Sequence, residues 1–324
     1  CLKAMILLDE IRGRLAESFS LKTYKIDHVV HGAIASIVTY GTLVEASPEI
    51  IEHAIGMFVA HYIPFRAIRA GHQLSDSKGA SAALSTEVAI MSLKRAMAGF
   101  IGPKDIFRNP EAIFRLFAKI KENESPFDLM LGFNGDDFSV MGMHFKLGLY
   151  EHQSAGAIQG VMNLLFESRF TEKYSIEQIN KIKIVAYEPA FGIIGDPAKR
   201  DPTTRQSADH SMVYIISTLI RKAFETQNLF ENVNSTDDLW KKLILLPNDY
   251  SLLAIQNQST KNIMSKISFE HGGPEYDKNY PNGIPSSLKI EVNNQELDSK
   301  FIMYPAGHAR NETANLQSIL NNKF

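Results

Sequence analysis

Two hydrophobic periodicities divide this chain of 324 residues. Up to about residue 122, apolar residues recur three and four positions apart, as Leu84 and Val88 do, and this spacing predicts amphipathic helices. Alternation of apolar and polar residues appears only later, most clearly around Ile182 and Ile184, and it predicts a strand. The order of the two patterns predicts a mainly α protein in which a helical domain is followed by an α+β domain.

Individual elements follow from caps, breakers and spacing. Pro48 and Glu49 start a helix that Pro64 ends, and Asn109 with Pro110 supplies the cap and first position of another. The predicted helices cover residues 3–18, 48–62, 80–98, 110–121, the segment after His152, and 207–225. The predicted strands cover residues 181–186, 286–292 and 300–304.

The bulk composition excludes several classes of protein. Hydrophobic residues make up 44% of the chain, charged residues make up 22%, and the formal net charge is -2, as in an ordinary globular protein. The pI near 6.6 argues against nucleic acid as a partner. Apolar runs such as 32–44 are too short to cross a membrane. The single cysteine, Cys1, permits no internal disulfide and argues against an iron–sulfur cluster.

A cationic stretch, HYIPFRAIRAGHQLSDSKGA, is the strongest chemical signal in the first part of the chain. It places Arg66, Arg69, His72 and Lys78 close together, and Asp76 is the only acidic residue among them. Arginine suits bidentate recognition of carboxylate or phosphate, and lysine supplies a compact point charge. The stretch therefore predicts a site for a small, multiply charged anion, although a solvated basic helix end would give the same pattern.

Polar residues at the junction of the two parts form a second group. In HFKLGLYEHQ, Lys146 and His152 could line a cleft or simply belong to a polar connection. The spacing of His144 and His152 matches no familiar metal motif, so no metal is predicted. Earlier in the chain, His28 and His31 precede a run of small residues, where a histidine is more often a core or capping residue than a ligand.

Two later segments also carry candidate residues. Arg205, His210 and Tyr214 follow two Asp-Pro steps, and His210 and Tyr214 lie four positions apart on one helix face. A tyrosine beside a histidine could form a proton-donor pair, or the tyrosine could be buried on an amphipathic helix. His308 and Arg310 lie in a Pro-Gly turn, which could present them to a ligand or simply close a connection.

Taken together and in this order, six segments resemble the MmgE/PrpD family. The resemblance covers essentially the whole chain, and although no single motif is sufficient, six in sequence make coincidence improbable. The segments are FRAIRAGHQLSDSKGASAA, GPKDIFRNPEAIFRLF, FKLGLYEHQSAGAIQG, DPAKRDPTTRQSADHSMVY, YPNGIP and MYPAGHARN.

The resemblance implies a large helical domain and a smaller α+β lid, with the active site in the cleft between them. Residues 1–140 are then the helical domain, 141–305 the lid, and 306–324 the start of a segment that returns to the helical domain. The first residue is not methionine and both ends lie in helical patterns, so a fragment of a longer chain is expected. The family's N-terminal aspartate, a leading candidate for the catalytic base, is expected upstream of this fragment.

The family's functional positions can be carried over to this chain residue by residue. The resemblance implies that the catalytic residues are Lys78, Lys146, His152, Tyr214 and His28. Arg66 and Arg69 match basic positions that precede the lysine, and His31 is an alternative match for the family histidine assigned to His28. The predicted substrate-binding residues are Arg66, Arg69, His31, Arg205, His210, His308 and Arg310.

The family implies a lyase that needs no cofactor, acts on a tricarboxylate and forms a homodimer. The expected reaction is loss of water from 2-methylcitrate in propionate catabolism, with His152 or Tyr214 donating a proton to the leaving hydroxide and His28 helping to bind. Cis-aconitate decarboxylation, another lyase or epimerase reaction on a polycarboxylate, and binding without catalysis are alternatives. The expected location is the cytoplasm, or the mitochondrial matrix in a eukaryote.

Overall fold

Four α-helices make up most of the described part of the first of two units. The computed structural model describes residues 1–69, 73–116, 124–125, 127–194 and 199–323. The first unit comprises Cys1–Ala70 with Ser75–Met143, and the second comprises Gly71–Leu74 with His144–Phe324. The helices of the first unit are α1 (Leu2–Ser18), α2 (Val29–Leu43), α3 (Pro48–His61) and α4 (Asp76–Met97).

Helix α2 is the central element of this unit. Its residues Val30, Ile34 and Ile37 are at most 2% exposed, because α1 packs against one side of α2 and α4 against another. Helix α3 begins at a cap in which Ser47 Oγ accepts the Ile50 N–H at 3.3 Å, with proline at the first helical position. The unit is therefore helical as predicted, and its described residues contain a single isolated β-bridge, between Ile26 and Phe65.

Three of the four helices predicted in this part are confirmed, and the fourth is wrong in its described portion. Helices 3–18, 48–62 and 80–98 correspond to α1, α3 and α4. Within 110–121, Ile113–Leu116 forms a 3-10 turn. Asn109 Oδ1 accepts the Glu111 N–H at 2.9 Å and the Asn109 carbonyl accepts the Ala112 N–H, so a tight turn replaces the first helical turn. Residues 117–121 lie outside the described residues.

A buried carboxylate fastens α1 to the segment 132–139. Glu10 is 2% exposed and accepts the N–H groups of Gly132 and Ser139, both at 2.6 Å, and Arg14 Nε at 2.9 Å. Burial opposes ionisation of this carboxyl group, but these hydrogen bonds outweigh it and lower the pKa of Glu10 to about 2. The ionised carboxylate is thus a structural anchor for the segment 132–139 of this unit.

Replacement of Glu10 by Gln is expected to lower the free energy of unfolding at pH 7 by about 3 kcal/mol, because a pKa lowered from 4.5 to about 2 corresponds to about that much stabilisation. Since the folded pKa is depressed, this stabilisation is complete above about pH 4.5 and is lost as the pH falls towards about 2. Urea unfolding measured at several pH values tests this. Glu17→Gln is the control, because this side chain is 69% exposed, and it should change the free energy of unfolding little.

The second unit is built on a four-stranded mixed sheet with the order β2-β1-β3-β4. Strand β1 pairs with β2 in parallel and with β3 antiparallel, and β3 and β4 are antiparallel. The β3–β4 hairpin turns at Asn293 and Asn294, which both have positive φ, as its two-residue turn requires. The strands are β1 (Ile179–Ala186), β2 (Ile267–His271), β3 (Ser286–Val292) and β4 (Gln295–Asp298).

Helices pack on this sheet and complete the unit. Helix α5 lies against β3, and Gly156 permits the close approach, because a Cβ there would come within 2.6 Å of Ser286 Oγ. The longer helices are α5 (Ala155–Ser168), α8 (Met212–Glu225), α9 (Thr236–Leu243), α11 (Gln258–Met264) and α13 (Leu316–Lys323). The single-turn helices are α6 (Phe170–Lys173), α7 (Arg205–Ala208), α10 (Leu252–Ile255) and α12 (Pro274–Asp277).

The predicted α+β character of this part is confirmed, including the helix after His152 and the strands at 181–186 and 286–292. The strand at 300–304 is wrong, since only Ile302 forms an isolated bridge. The helix at 207–225 is interrupted, because Ser211 Oγ accepts the Tyr214 N–H and starts a new helix. Helix α13 packs against α9, and the predicted return of residues 306–324 to the helical domain stays a prediction.

Within the described residues, every helix is too short or too polar to span a lipid bilayer.

Candidate functional site

A buried ion pair organises the candidate residues of the first unit. Asp27 is fully buried and accepts two hydrogen bonds from the Arg69 guanidinium, one of them from Nη2 to Oδ1 at 3.0 Å. Asp27 Oδ1 also accepts the Val29 N–H at 3.2 Å, at the start of α2. Burial raises the pKa of Asp27, but Arg69 and the Val29 N–H outweigh it and the pKa falls below its usual value.

This pair corrects the expectation that Asp76 alone balances the cationic stretch. Asp27 lies far from Arg69 in sequence, but the bridge between Ile26 and Phe65 joins their segments. The Asp27 N–H donates to the Pro64 carbonyl at 2.9 Å, and the Arg66 N–H donates to the Lys25 carbonyl at 2.7 Å. Arg69 is therefore a compensated charge, and its position is set by Asp27.

His28 lies beside this ion pair. Its Nε2 is 3.4 Å from Arg69 Nη2, and its Nδ1 is 3.8 Å from Asp27 Oδ1. Because a guanidinium can only donate, this contact requires an unprotonated Nε2 and places the imidazole proton on Nδ1. Partial burial and the charge of Arg69 lower the pKa of His28, although Asp27 opposes the shift. His28 is consequently a neutral imidazole at pH 7.

Arg66 and Lys78 add to the positive field at His28. Both cations, with Arg69, contribute to lowering the His28 pKa. Lys78 is in the first turn of α4, where the helix dipole has the same sign as its charge. These three predicted site residues thus act on one imidazole in the first unit. His72, the fourth member of the sequence group, lies outside the described residues.

His31 lies one helical turn beyond His28 and points into the core. It is 4% exposed, and its ring meets the edge of Phe19 at a centroid distance of 4.8 Å. Burial lowers its pKa to about 4, with a smaller contribution from His28. The surroundings of His31 are those of a neutral core histidine, and its role in binding substrate stays a prediction.

Three histidines meet in the second unit. The His144 ring lies 4.6 Å from the His152 ring and 5.4 Å from the His308 ring, measured between centroids. Burial lowers the pKa of His152 to about 4, with further contributions from Lys146 and His308. His308 is shifted downwards by burial and by Arg310. The structure therefore brings together two motifs of the sequence, one with Lys146 and His152 and the other with His308 and Arg310.

His144 belongs to the same group although it was not assigned a role in the sequence. Burial lowers its pKa to about 3, helped by its two histidine neighbours. The available signal was its place two residues before Lys146, which sequence reasoning considered only for a metal. No cluster of three or more histidine, cysteine, aspartate or glutamate residues in the described chain has an arrangement that could hold a metal ion.

Arg205, His210 and Tyr214 lie around the break between α7 and α8. The His210 ring is paired with Asp209 and its Nδ1 lies 3.0 Å from the Gln206 carbonyl. Tyr214 is fully buried, and its hydroxyl donates to the Asp249 carbonyl at 2.6 Å. That proton is committed to a structural bond, so Tyr214 can act as an acid only after the bond opens. Its catalytic role and the binding roles of Arg205 and His210 stay predictions.

Besides its proximity to His308, Arg310 contacts a second part of the unit and borders a surface cleft. Its Nη1 lies 3.4 Å from the Asn282 carbonyl, and its side chain borders an open cleft of about 490 Å³ with Gln159, Tyr304 and Asn311. Polar and apolar residues line this cleft in similar measure, and all of them belong to the second unit. The predicted role of Arg310 in binding substrate stays a prediction.

Comparison with known protein families finds two matches that together account for most of the chain. The MmgE/PrpD N-terminal domain matches residues 1–125. The MmgE/PrpD C-terminal domain matches residues 151–324. The first match contains His28, Arg66, Arg69 and Lys78, and the second contains His152, Tyr214 and His308. The candidate residues of both units therefore lie within matched domains, apart from the segment that carries His144 and Lys146.

Proposed function

The chain belongs to the MmgE/PrpD family, and from this membership we propose that it is a hydro-lyase that removes water from 2-methylcitrate to give 2-methylaconitate. The family supports a lyase- or dehydratase-type enzyme, and the particular substrate is the proposal. The observation that carries it is the set of cations near the His28 imidazole, in which Arg66 and Lys78 add their charges beside Arg69, whose own charge Asp27 compensates. Such a set suits a small polycarboxylate.

The chemistry explains why cations are needed. Removing a proton from the carbon next to a carboxylate develops additional negative charge on that carboxylate in the transition state. Preorganised cations stabilise this charge more than they stabilise the substrate, and so they accelerate the step. Lys78 and Arg66 are suited to this role, while Arg69 is held by Asp27 and orients His28.

Proton transfer is proposed for neutral imidazoles. At pH 7 the lowered pKa of His152 leaves its ring unprotonated, so it is suited to accept a proton first and to return it to the departing hydroxide. Tyr214 would take part only after its bond to the Asp249 carbonyl breaks. His28 would bind substrate as a neutral donor through Nδ1. The proposal includes no cofactor, and a homodimer is the expected assembly.

The test is turnover of 2-methylcitrate by the full chain, followed by the absorbance of the unsaturated product. We expect product formation that is unaffected by a chelator. Release of carbon dioxide from cis-aconitate, without loss of water from 2-methylcitrate, would instead identify a decarboxylase. Citrate binding by calorimetry without turnover of either substrate would identify a non-catalytic binding protein and contradict the proposal.

A further inference from the structure

We propose that His144 completes a three-histidine carboxylate site with His152 and His308, and that this cluster takes up one proton when an anion binds. The proposal rests on the polycarboxylate class of ligand put forward above. It assigns a role to a histidine that no motif of the sequence singled out for binding. The argument depends on residues of the second unit alone.

The cluster is held together by a close contact between two distant segments. The Phe145 N–H donates to the Gly307 carbonyl at 2.8 Å, between the residues that follow His144 and precede His308. Gly307 has φ +89°, and a Cβ there would come within 2.3 Å of the Phe145 carbonyl oxygen. Only glycine fits this approach without displacing the backbone. The juxtaposition of the histidines is therefore fixed by the backbone.

Hydrogen bonds further fix the segment that carries His308. The buried side chain of Gln159 on α5 uses Oε1 to accept both the Ala306 N–H and Trp240 Nε1, each at 3.0 Å. These bonds anchor Ala306, two residues before His308, to the core of the unit. The cluster is thus supported by core residues and is not a chance meeting of mobile side chains.

The hydrogen bonds also determine which imidazole can take a proton. The Arg310 N–H donates to His308 Nδ1 at 3.1 Å, so the proton of neutral His308 is on Nε2 and a second proton would break this bond. Both ring nitrogens of His144 are buried and lack a hydrogen-bond partner in the described chain. His144 can therefore be protonated without losing a bond, and an unpaired buried N–H is costly until a ligand satisfies it.

The charges around the cluster favour an anion. The charge of Lys146 lowers the pKa of His152, and the charge of Arg310 lowers the pKa of His308. The ring of Tyr304 lies 4.9 Å from that of His308, measured between centroids. Glu151 precedes His152, and its carboxylate accepts the Gln153 N–H at 2.8 Å. In the free protein, burial and these cations disfavour protonation of the imidazoles. A bound carboxylate reverses the balance, because an opposite charge within about 4–6 Å raises an imidazole pKa by about 1–3 units.

Repulsion limits the uptake to one proton. With ring centroids 4.6 Å apart, His144 and His152 would place two like charges in a desolvated site if both were protonated. The cluster therefore titrates as a unit, and the single proton is held by His144, whose ring nitrogens have no hydrogen bond to lose in the described chain, so that His152 stays unprotonated. Binding of a carboxylate should consequently become tighter as the pH falls from about 6, the upper end of the raised pKa range, towards about 3, the pKa of His144 in the free protein.

The decisive experiment follows histidine protonation directly by NMR of the full chain labelled in its imidazole rings, with and without citrate. His144→Phe, which keeps an aromatic ring but removes both nitrogens, assigns the His144 signal. We expect the citrate-bound protein to gain one histidine titration whose midpoint lies about 1–3 units above that of the free protein. In His144→Phe we expect citrate binding at about pH 5 to weaken at least about fivefold, and the pH dependence of binding to flatten.

His61→Phe is the matched control, because His61 is an exposed histidine at the end of α3 in the first unit. It should leave both the titration and citrate affinity unchanged. Histidine titrations in the cluster that do not respond to citrate, or a His144→Phe variant with the pH dependence of the wild type, would overturn the proposal. Because neither readout uses turnover, citrate-linked protonation without dehydration would reject the proposed function and leave this inference standing.

Discussion

Replacement of Asp27 by Ala is expected to lower the free energy of unfolding by about 3–5 kcal/mol, the cost typical of removing one partner from a buried ion pair. Asp27 is fully buried, and the side chain of Arg69 is only 19% exposed. The variant leaves the guanidinium without its counter-charge and the Val29 N–H without its acceptor. Chemical denaturation monitored by circular dichroism measures the change.

Asp9→Ala is the control for loss of an aspartate. Asp9 forms an ion pair with Arg12, but both side chains are partly solvated, at 27% and 48% exposure, so the expected loss is below about 1 kcal/mol. A cycle with Arg69→Ala separates the pair from its surroundings. Since removing both charges leaves neither unpaired, the double variant should be more stable than the sum of the single losses predicts. Additive losses would contradict the ion pair as the cause.

The same ion pair separates what the sequence could predict from what it could not. The cationic stretch was recognisable because its charges are close in sequence, and the three cations do act on one imidazole. The pairing of Arg69 with Asp27 could not be recognised in the sequence, because the two residues are 42 positions apart. They meet only through the bridge between Ile26 and Phe65. Their meeting depends on tertiary structure, which spacing along the chain does not encode.

The secondary structure also includes elements that the sequence predicts and breaks that it does not. Strand β1 was predictable because one face is buried, so Ile182 and Ile184 alternate with more polar neighbours. The break in the helix predicted at 207–225 was not predictable. A serine such as Ser211 is common within helices, and only the structure shows that its side chain caps the Tyr214 N–H. Similarly, α2 is buried on most sides, so its apolar residues lack the periodicity of an amphipathic helix.

Burial also changes how the candidate residues should be ranked. Tyr214 and His31 matched family positions in the sequence, yet their side chains lie in the core. His144 was assigned to no family position, yet its ring contacts those of His152 and His308, both of which were predicted site residues. Residue type and order therefore identified the regions that matter, whereas the availability of each proton depends on hydrogen bonds such as that from Tyr214 to Asp249.

Replacement of Lys78 by Ala is expected to reduce kcat/KM for 2-methylcitrate by about 100- to 1000-fold, the loss typical when one preorganised group that stabilises developing negative charge is removed. Lys78 lies in the first turn of α4, and its charge adds to those of Arg66 and Arg69 at His28. If it stabilises the transition state, kcat should fall more than KM rises. Steady-state kinetics across a range of substrate concentrations separates the two effects.

Two further variants identify the cause of that loss. Lys94→Ala removes an exposed lysine from the last turn of the same helix, and it should retain the activity of the wild type. Lys78→Arg keeps the charge but replaces a compact ammonium with a planar guanidinium, so it should recover only part of the activity. A Lys78→Ala variant that is folded and as active as the wild type would show that Lys78 does not contact the reacting carboxylate. The cationic stretch would then be a solvated basic helix end, the alternative that its sequence also allowed.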